Sequence, residues 1–333
     1  MTTKANLAEA DQASLAFHIA LTRIGIGTIE EAMALWTDVN PAKVAPTSER
    51  WLTRAVTLVM SRRQWSRDLA FAFYRLVRAL RTGATIKDPY HPNETPPTLT
   101  SLRRDFATAV DEVGRVSGSA STQVPQVAVP DENDRLLVEE LKQLQAEEAR
   151  LEKAAEEEAR LALEALGPAN LESKLVDLNP DVSAAEMDAA REAAHREAGV
   201  RQAAAAERMV LNGGRGALMS YGEQDPRCIG YVRISKTGTP CGFCAMLISR
   251  GAIFYKSEAS ARFKSDGDLY HDNCHCTALP IFSKQQYDES DLFALNRQYE
   301  LKWPTVTKGL GGKDALNAWR RYINEIRDQA QAA

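Results

Sequence analysis

Cys241-Gly-Phe-Cys244 and, about thirty residues later, His271-Asp-Asn-Cys274-His-Cys276 are the stretches that decide how this chain is read. They hold four of its five cysteines, and the fifth, Cys228, stands alone upstream. Thiolate and imidazole are donors that suit zinc. A two-residue gap lets both sulfurs of one turn face a single ion, and a second cluster a loop-length away closes a tetrahedral site that pins two distant segments. The spacing therefore predicts a zinc site drawn from Cys241, Cys244, His271, Cys274 and Cys276. Those five donors compete for four positions. Cys274 and Cys276 are two apart, so an extended segment puts them on one face and turns His275 away. Three other chemistries use the same residue types. A disulfide framework belongs to small secreted chains. A redox Cys-x-x-Cys sits in a strand-then-helix context of the thioredoxin kind, which this sequence does not display. A thiol beside an imidazole, Cys244 with His271, could serve as nucleophile and base. Clustered thiols favour metal.

Short β-branched runs frame the clusters. Ile229-Gly-Tyr-Val-Arg-Ile-Ser alternates and reads as a strand that enters the turn Thr237-Gly-Thr-Pro-Cys241. Cys244 to Ser249 reads as a helical turn stopped by Gly251. Ala252-Ile-Phe-Tyr and Ala278-Leu-Pro-Ile-Phe read as two further strands. The tail is helical, with Leu316, Trp319, Ile323 and Ile326 on one stripe after Gly311-Gly312. That stripe can pack on the cysteine module or dock in a partner's groove.

Upstream the chain is helical. Residues 5–35 read as two helices broken near Gly25-Ile-Gly27, with Thr28 as the second N-cap. A long helix follows, capped by Ser48 and stopped by Gly83. Its Trp65, Leu69, Phe73, Leu76 and Leu80 keep a helical rhythm and should be buried. Around them lie Arg50, Arg54, Arg62, Arg63, Arg67, Arg75, Arg78 and Arg81, expected on a solvated face that suits an acidic partner. A nucleic-acid surface is the other reading of such a stripe. Leu99 to Val113 forms a shorter helix.

Residues 113–130 are small, polar and Pro-punctuated, the composition of a linker. Asp131 to Glu164 carries twelve acids against five bases, so this helix former should be a solvated spacer. Its leucine seam starts at Leu137 and decays at Glu148 and Glu158. Gly167-Pro168 ends it, and Ser183 to Met209 is a second Ala/Glu/Arg-rich helix. Gly213-Gly-Arg-Gly216 reads as a turn, too weak a pattern for a phosphate loop.

At 333 residues the chain has room for two or more domains, and a net charge of −4 gives no overall basic excess for nucleic acid. No apolar run reaches the ~20 residues that cross a bilayer, and the first residues lack a signal pattern. Synthesis in a reducing cytoplasm is expected, where thiols stay free or bind metal.

Thr239-Pro-Cys241-Gly-Phe-Cys244-Ala-Met-Leu with His271-Asp-Asn-Cys274-His-Cys276-Thr resembles the carboxy-terminal domain of Mu F-like phage head morphogenesis proteins. That family has a Cys-x-x-Cys pair and a closing His-x-x-Cys-x-Cys-Thr. Here His275 stands where arginine is more usual, and Asp272 where proline is common. Ser61-Arg-Arg-Gln-Trp-Ser-Arg-Asp-Leu-Ala, Tyr74-Arg-Leu-Val-Arg-Ala-Leu-Arg-Thr-Gly and Trp303-Pro-Thr-Val-Thr-Lys-Gly are similar to a group from tailed phages of actinobacteria. Its members are described as minor capsid proteins or as capsid maturation proteases. The resemblance implies a protein of procapsid assembly, bound to the portal or inner shell. It implies portal, scaffold or major capsid protein as partners, with no membrane. It places the chain in the host cytoplasm during assembly and then inside the procapsid or virion. A capsid maturation protease is the competing implication, although neither Gly-x-Ser-x-Gly nor His-Glu-x-x-His occurs. A nucleic-acid binder inside the head is the third.

The expected fold is mainly α with a small α+β zinc-knuckle module. The parts are a helical domain (1–112), a linker (113–130), a charged helical stalk (131–212), a Mu F-like zinc module (213–285) and a helical tail (286–333).

Overall fold

In chain order the first elements are α1 (Lys4–Trp36), α2 (Val44–Thr82), β1 (Ala84–Ile86), α3 (Leu99–Val116), β2 (Leu137–Glu139), α4 (Leu144–Leu166), α5 (Pro168–Val176) and α6 (Ala184–Gln224). The cysteine module and tail follow as β3 (Gly230–Ser235), α7 (Gly242–Ile248), β4 (Ala252–Ile253), β5 (Cys276–Ile281), α8 (Lys284–Glu289), α9 (Ala294–Val306) and α10 (Gly312–Ala332). This computed structural model describes residues 3–91, 96–116, 136–235, 240–253, 274 and 276–332. The fold is mainly α, as the periodicity predicts. Residues 117–130 of the expected linker lie outside the described residues, while 113–116 complete α3.

The body is α1, α2 and α6 packed on one another. Phe17 stacks on Phe73 at 4.4 Å between ring centres, and Trp36 meets Trp51 edge-on at 4.9 Å. Gly83 closes α2 in the left-handed conformation at φ 71°, where glycine carries no Cβ penalty. Ser183 starts α6 with a reciprocal capping box to Glu186.

Two expected breaks are absent. Helix α1 runs unbroken through Gly25 and Gly27, and Thr28 is buried within it, donating to the Ile24 carbonyl at 2.7 Å. A Cβ on Gly25 would lie 2.9 Å from Glu207 Oε1, so this glycine lets α6 approach. Likewise Gly213-Gly-Arg-Gly216 is no turn but the interior of α6. A Cβ on Gly214 would sit 2.6 Å from the Ser66 carbonyl oxygen, so α2 and α6 touch backbone to backbone there. Both glycine sites cost helix propensity, and close packing offsets it.

The acidic segment is not a solvated spacer. Its first described part, β2, pairs in parallel with β1 from Ala84↔Leu137 to Ile86↔Glu139. Helix α4 then lies against α2 and α6. Three arginines of α2 do not face solvent either: Arg63, Arg75 and Arg78 are 7%, 4% and 0% exposed, whereas Arg50 and Arg54 stay exposed. Each of the three finds a carboxylate from elsewhere in the chain. Arg63 pairs with Glu152 at 2.7 Å and Arg67 with Glu148 at 2.8 Å, both on α4. Arg78 grips Asp225 at 2.6 Å and also reaches Glu139. Tyr74 donates to the same Asp225 at 2.8 Å. Arg81 bonds Asp11. The acidic partner suggested by the arginine stripe is largely the chain's own α4 and the end of α6. That engagement takes up much of the arginine stripe on which a nucleic-acid surface rested, while Arg50 and Arg54 stay exposed.

The module is a three-stranded sheet in the order β4-β3-β5, antiparallel throughout. The β3–β5 register runs from Gly230↔Ile281 to Ser235↔Cys276. Val232, Ile234, Leu279 and Ile281 join the core of the long helices. The tail stripe packs inward: Trp319 and Ile323 of α10 meet Met246, Leu247 and Ile248 of α7 and Tyr299 of α9. No helix is long and apolar enough to cross a membrane, among the described residues.

Candidate metal centre

Cys241 is the N-cap of α7, and its sulfur accepts from the Cys244 amide at 3.4 Å. That turn aims Cys244 inward from the first helical turn. Cys276 opens β5, and Cys274 precedes it. Three sulfurs converge: Cys244–Cys274 at 3.5 Å, Cys244–Cys276 at 3.2 Å and Cys274–Cys276 at 3.0 Å. All three residues are buried, at 4%, 3% and 2% exposure, and no cysteine pair is bonded.

This set fits a metal ion. Three buried thiols in mutual contact are the donor chemistry of a soft or borderline divalent cation. Sulfurs of a tetrahedral zinc site lie about 3.8 Å apart, so the triad need open only slightly to admit one. Among the described residues, the group of donors within reach of one ion is Cys244, Cys274 and Cys276. Cys241 borders it, packed on the triad and half-buried, without joining that closest group. His271 lies outside the described residues, as does His275.

Electrostatics favour negative charge at this spot. Hydrogen bonding with Cys241, Cys274 and Cys276, together with burial, pushes the ionisation of the Cys244 thiol far up. Hydrogen bonding with Cys244 pulls Cys274 down, but hydrogen bonding with Cys276 and burial outweigh that and push it up to about 11. Burial resists ionisation of Cys276. Hydrogen bonding with Cys244 and Cys274 and the charges of Arg233 and Arg215 overcome it and hold Cys276 well below the ordinary thiol range. Thiolate is the form of cysteine that binds metal.

The two arginines escaped the sequence reading. Arg233 on β3 donates from Nη1 to Cys276 Sγ at 3.0 Å. Arg215 on α6 donates from Nη2 to the Cys274 carbonyl, between two of the sulfurs in sequence. Both are buried. A signal existed for Arg233, a charged residue inside the otherwise apolar strand Tyr231-Val-Arg-Ile. For Arg215 there was none, because its glycine neighbours suggested a turn. The centre is also tied to α1, where buried His18 Nδ1 lies 3.1 Å from Thr277 Oγ1, one residue past Cys276.

The family model described as VG15 protein matches residues 98–301, more than half of the chain and the whole of this centre. The chain belongs to that phage-associated family. No curated protein and no solved structure matches it.

Proposed function

We propose that this is a minor capsid protein of phage head morphogenesis. It acts in procapsid assembly by binding the portal or the inner capsid shell, and a structural zinc ion secures its carboxy-terminal module. The observation that carries the reading is the buried cysteine triad. It occupies the motif that resembles the Mu F-like domain and falls within the VG15 match. Donors closed off from solvent suit a metal that holds segments together, whereas a catalytic ion keeps an open position. The same burial weighs against a capsid maturation protease acting through these thiols. At 4% exposure Cys244 cannot meet a polypeptide carbonyl without opening of the module. Portal, scaffold and major capsid protein are the proposed partners, in the host cytoplasm and then the procapsid interior.

The test is co-expression with those three phage proteins. Co-purification with portal or procapsids, with scaffold and capsid chains full length by mass spectrometry, is the expected result. A defined cleavage that disappears with Cys244→Ala in a folded protein would instead establish the protease. Elemental analysis of protein purified without added metal should give about one zinc per chain.

A further inference from the structure

Helix α1 is packed by its own chain on several sides. α2, α3 and α6 lie against it, and Thr277 of β5 reaches its His18. The remaining side is open and still apolar. Leu15 and Ile26 are 45% and 49% exposed, and Ile19, Thr22, Ile29 and Met33 on the same side are only partly buried. A surface helix ordinarily turns a polar, charged face to solvent. α10 does so: Lys313, Arg320, Arg321 and Asn324 are exposed, while Trp319 and Ile323 are buried. On α1 none of the six open positions carries an ionisable side chain.

Spacing gives this strip its meaning. Leu15, Ile19, Thr22, Ile26, Ile29 and Met33 recur at alternating steps of four and three residues. That is the 3.5-residue period that keeps one seam turned toward a second helix along its length. The order of the residues selects the occupant. Under a two-fold axis at Ile24, Leu15 falls on Met33, Ile19 on Ile29 and Thr22 on Ile26. An antiparallel copy of α1 therefore puts at least one large aliphatic side chain in every layer and no charge in any. This is the self-complementary patch that a two-fold dimer uses. A charged partner surface would lose hydration against the strip and gain no ion pair.

We propose that the open face of α1 is a self-association site, on which a second copy of this chain docks its own α1 antiparallel about a two-fold axis at Ile24. The strip runs about 27 Å from Leu15 to Met33 at 1.5 Å per residue. One helix wide and that long, it falls short of the roughly 1,200 Å² buried in stable complexes. The dimer is therefore weak and forms as concentration rises.

Sedimentation velocity of the full chain from about 1 to 300 µM covers the range of such affinities. The expected result is a monomer–dimer equilibrium. Ile26→Glu brings a charge into the seam and should weaken association about tenfold or more, and Thr22→Lys should act the same way. A mixture of the two variants should recover dimer, because the two-fold sets position 26 of one copy against position 22 of the other and opposite charges then meet. Circular dichroism and thermal melting check that each variant is folded. If Ile26→Glu fails to fold, Leu15→Glu mixed with Met33→Lys decides in the same way. A chain that stays monomeric throughout overturns the proposal and leaves the strip to a different protein. A dimer that the folded variants leave unchanged also overturns it, because the contact then lies elsewhere. Weakening by both variants with no recovery in the mixture overturns the antiparallel pairing.

Discussion

The helical body and the cysteine module handle buried charge in opposite ways. In the body several cations that sequence would place at the surface are met by carboxylates of the same chain. Arg63 and Arg67 meet α4, and Arg78 meets the end of α6 together with β2. In the module the described thiols and guanidinium groups bring hydrogen and charge to one point, and the geometry is suited to an ion supplied from outside. The body is thus complete as a polypeptide, and its specificity lies in long-range pairs. The module has a few short strands and one seven-residue helix at the cysteines, so a bound ion can contribute a large part of its stability.

Breaking the module should give the largest effect. Cys244→Ser or Cys276→Ser removes a sulfur from the triad. Structural zinc sites contribute apparent free energies on the order of 10 kcal/mol to folding. Zinc should be lost, and residues 229–282 should become the first sites of limited proteolysis, while fragments spanning α1 and α2 persist. Parent-like protease resistance in both variants would mean that the cluster does not hold the module.

Breaking a pair in the body should cost less. Arg78 is fully buried between Asp225 and Glu139. Arg78→Met leaves a buried carboxylate without its counterion, which costs about 3–5 kcal/mol. Denaturant unfolding should show this, and adding Asp225→Asn should recover part of the loss. Full additivity of the two substitutions would show that the pair is not a unit.

The same network sets an acid limit. Hydrogen bonds from Arg227, then from Arg78, and their charges hold Glu139 down at about 2, against an ordinary 4.5, despite the opposing effect of burial. Asp225 is also lowered: burial opposes this, but the bonds from Arg78, the Arg227 amide and Tyr74 prevail. A lowered carboxyl stabilises the fold at pH above its unfolded value. That stability should fade as pH falls from about 4.5 toward 2. Denaturation midpoints taken at pH 7, 4 and 3 should decline, and Glu139→Gln should flatten the decline. An equal slope in parent and variant would remove Glu139 from the account.

Several local signals in the sequence were read correctly, although Ser48, expected as the cap of α2, lies inside a helix that starts at Val44. The Gly83 stop, the strands that frame the cysteines and the Leu316–Ile326 stripe all depend on neighbours a few residues away. Cys244, Cys274 and Cys276 were legible by residue type and spacing, and the structure brings these three together. What failed was decided at long range. Arg78 and Asp225 are 147 positions apart, so periodicity could show only that Arg78 falls between apolar positions. β2 forms because β1 lies beside it, and nothing in Leu137-Val-Glu marks a parallel partner. Gly25 and Gly213-Gly214 suggested breaks because glycine lowers helix propensity. Their use, close approach to a helix from another part of the chain, leaves no local mark.

Glycines within one turn of α6 sharpen that last point, with the smallest effects and opposite signs. Gly214 faces the Ser66 backbone, and a Cβ there would meet a carbonyl oxygen at 2.6 Å. Gly214→Ala must push α2 and α6 apart, and overpacking of this kind costs about 1–3 kcal/mol. Gly216 sits two residues on, with nothing within 4 Å of the same added atom. Gly216→Ala should gain up to about 1 kcal/mol, because alanine replaces glycine in a helix interior without a clash. The two substitutions share chemistry, helix and propensity, so their difference isolates the contact. Thermal or denaturant unfolding of both variants measures it. If both stabilise by similar amounts, α2 and α6 are not in backbone contact at Gly214. If both destabilise equally, Gly216 faces a neighbour too, and the open side of α6 is covered.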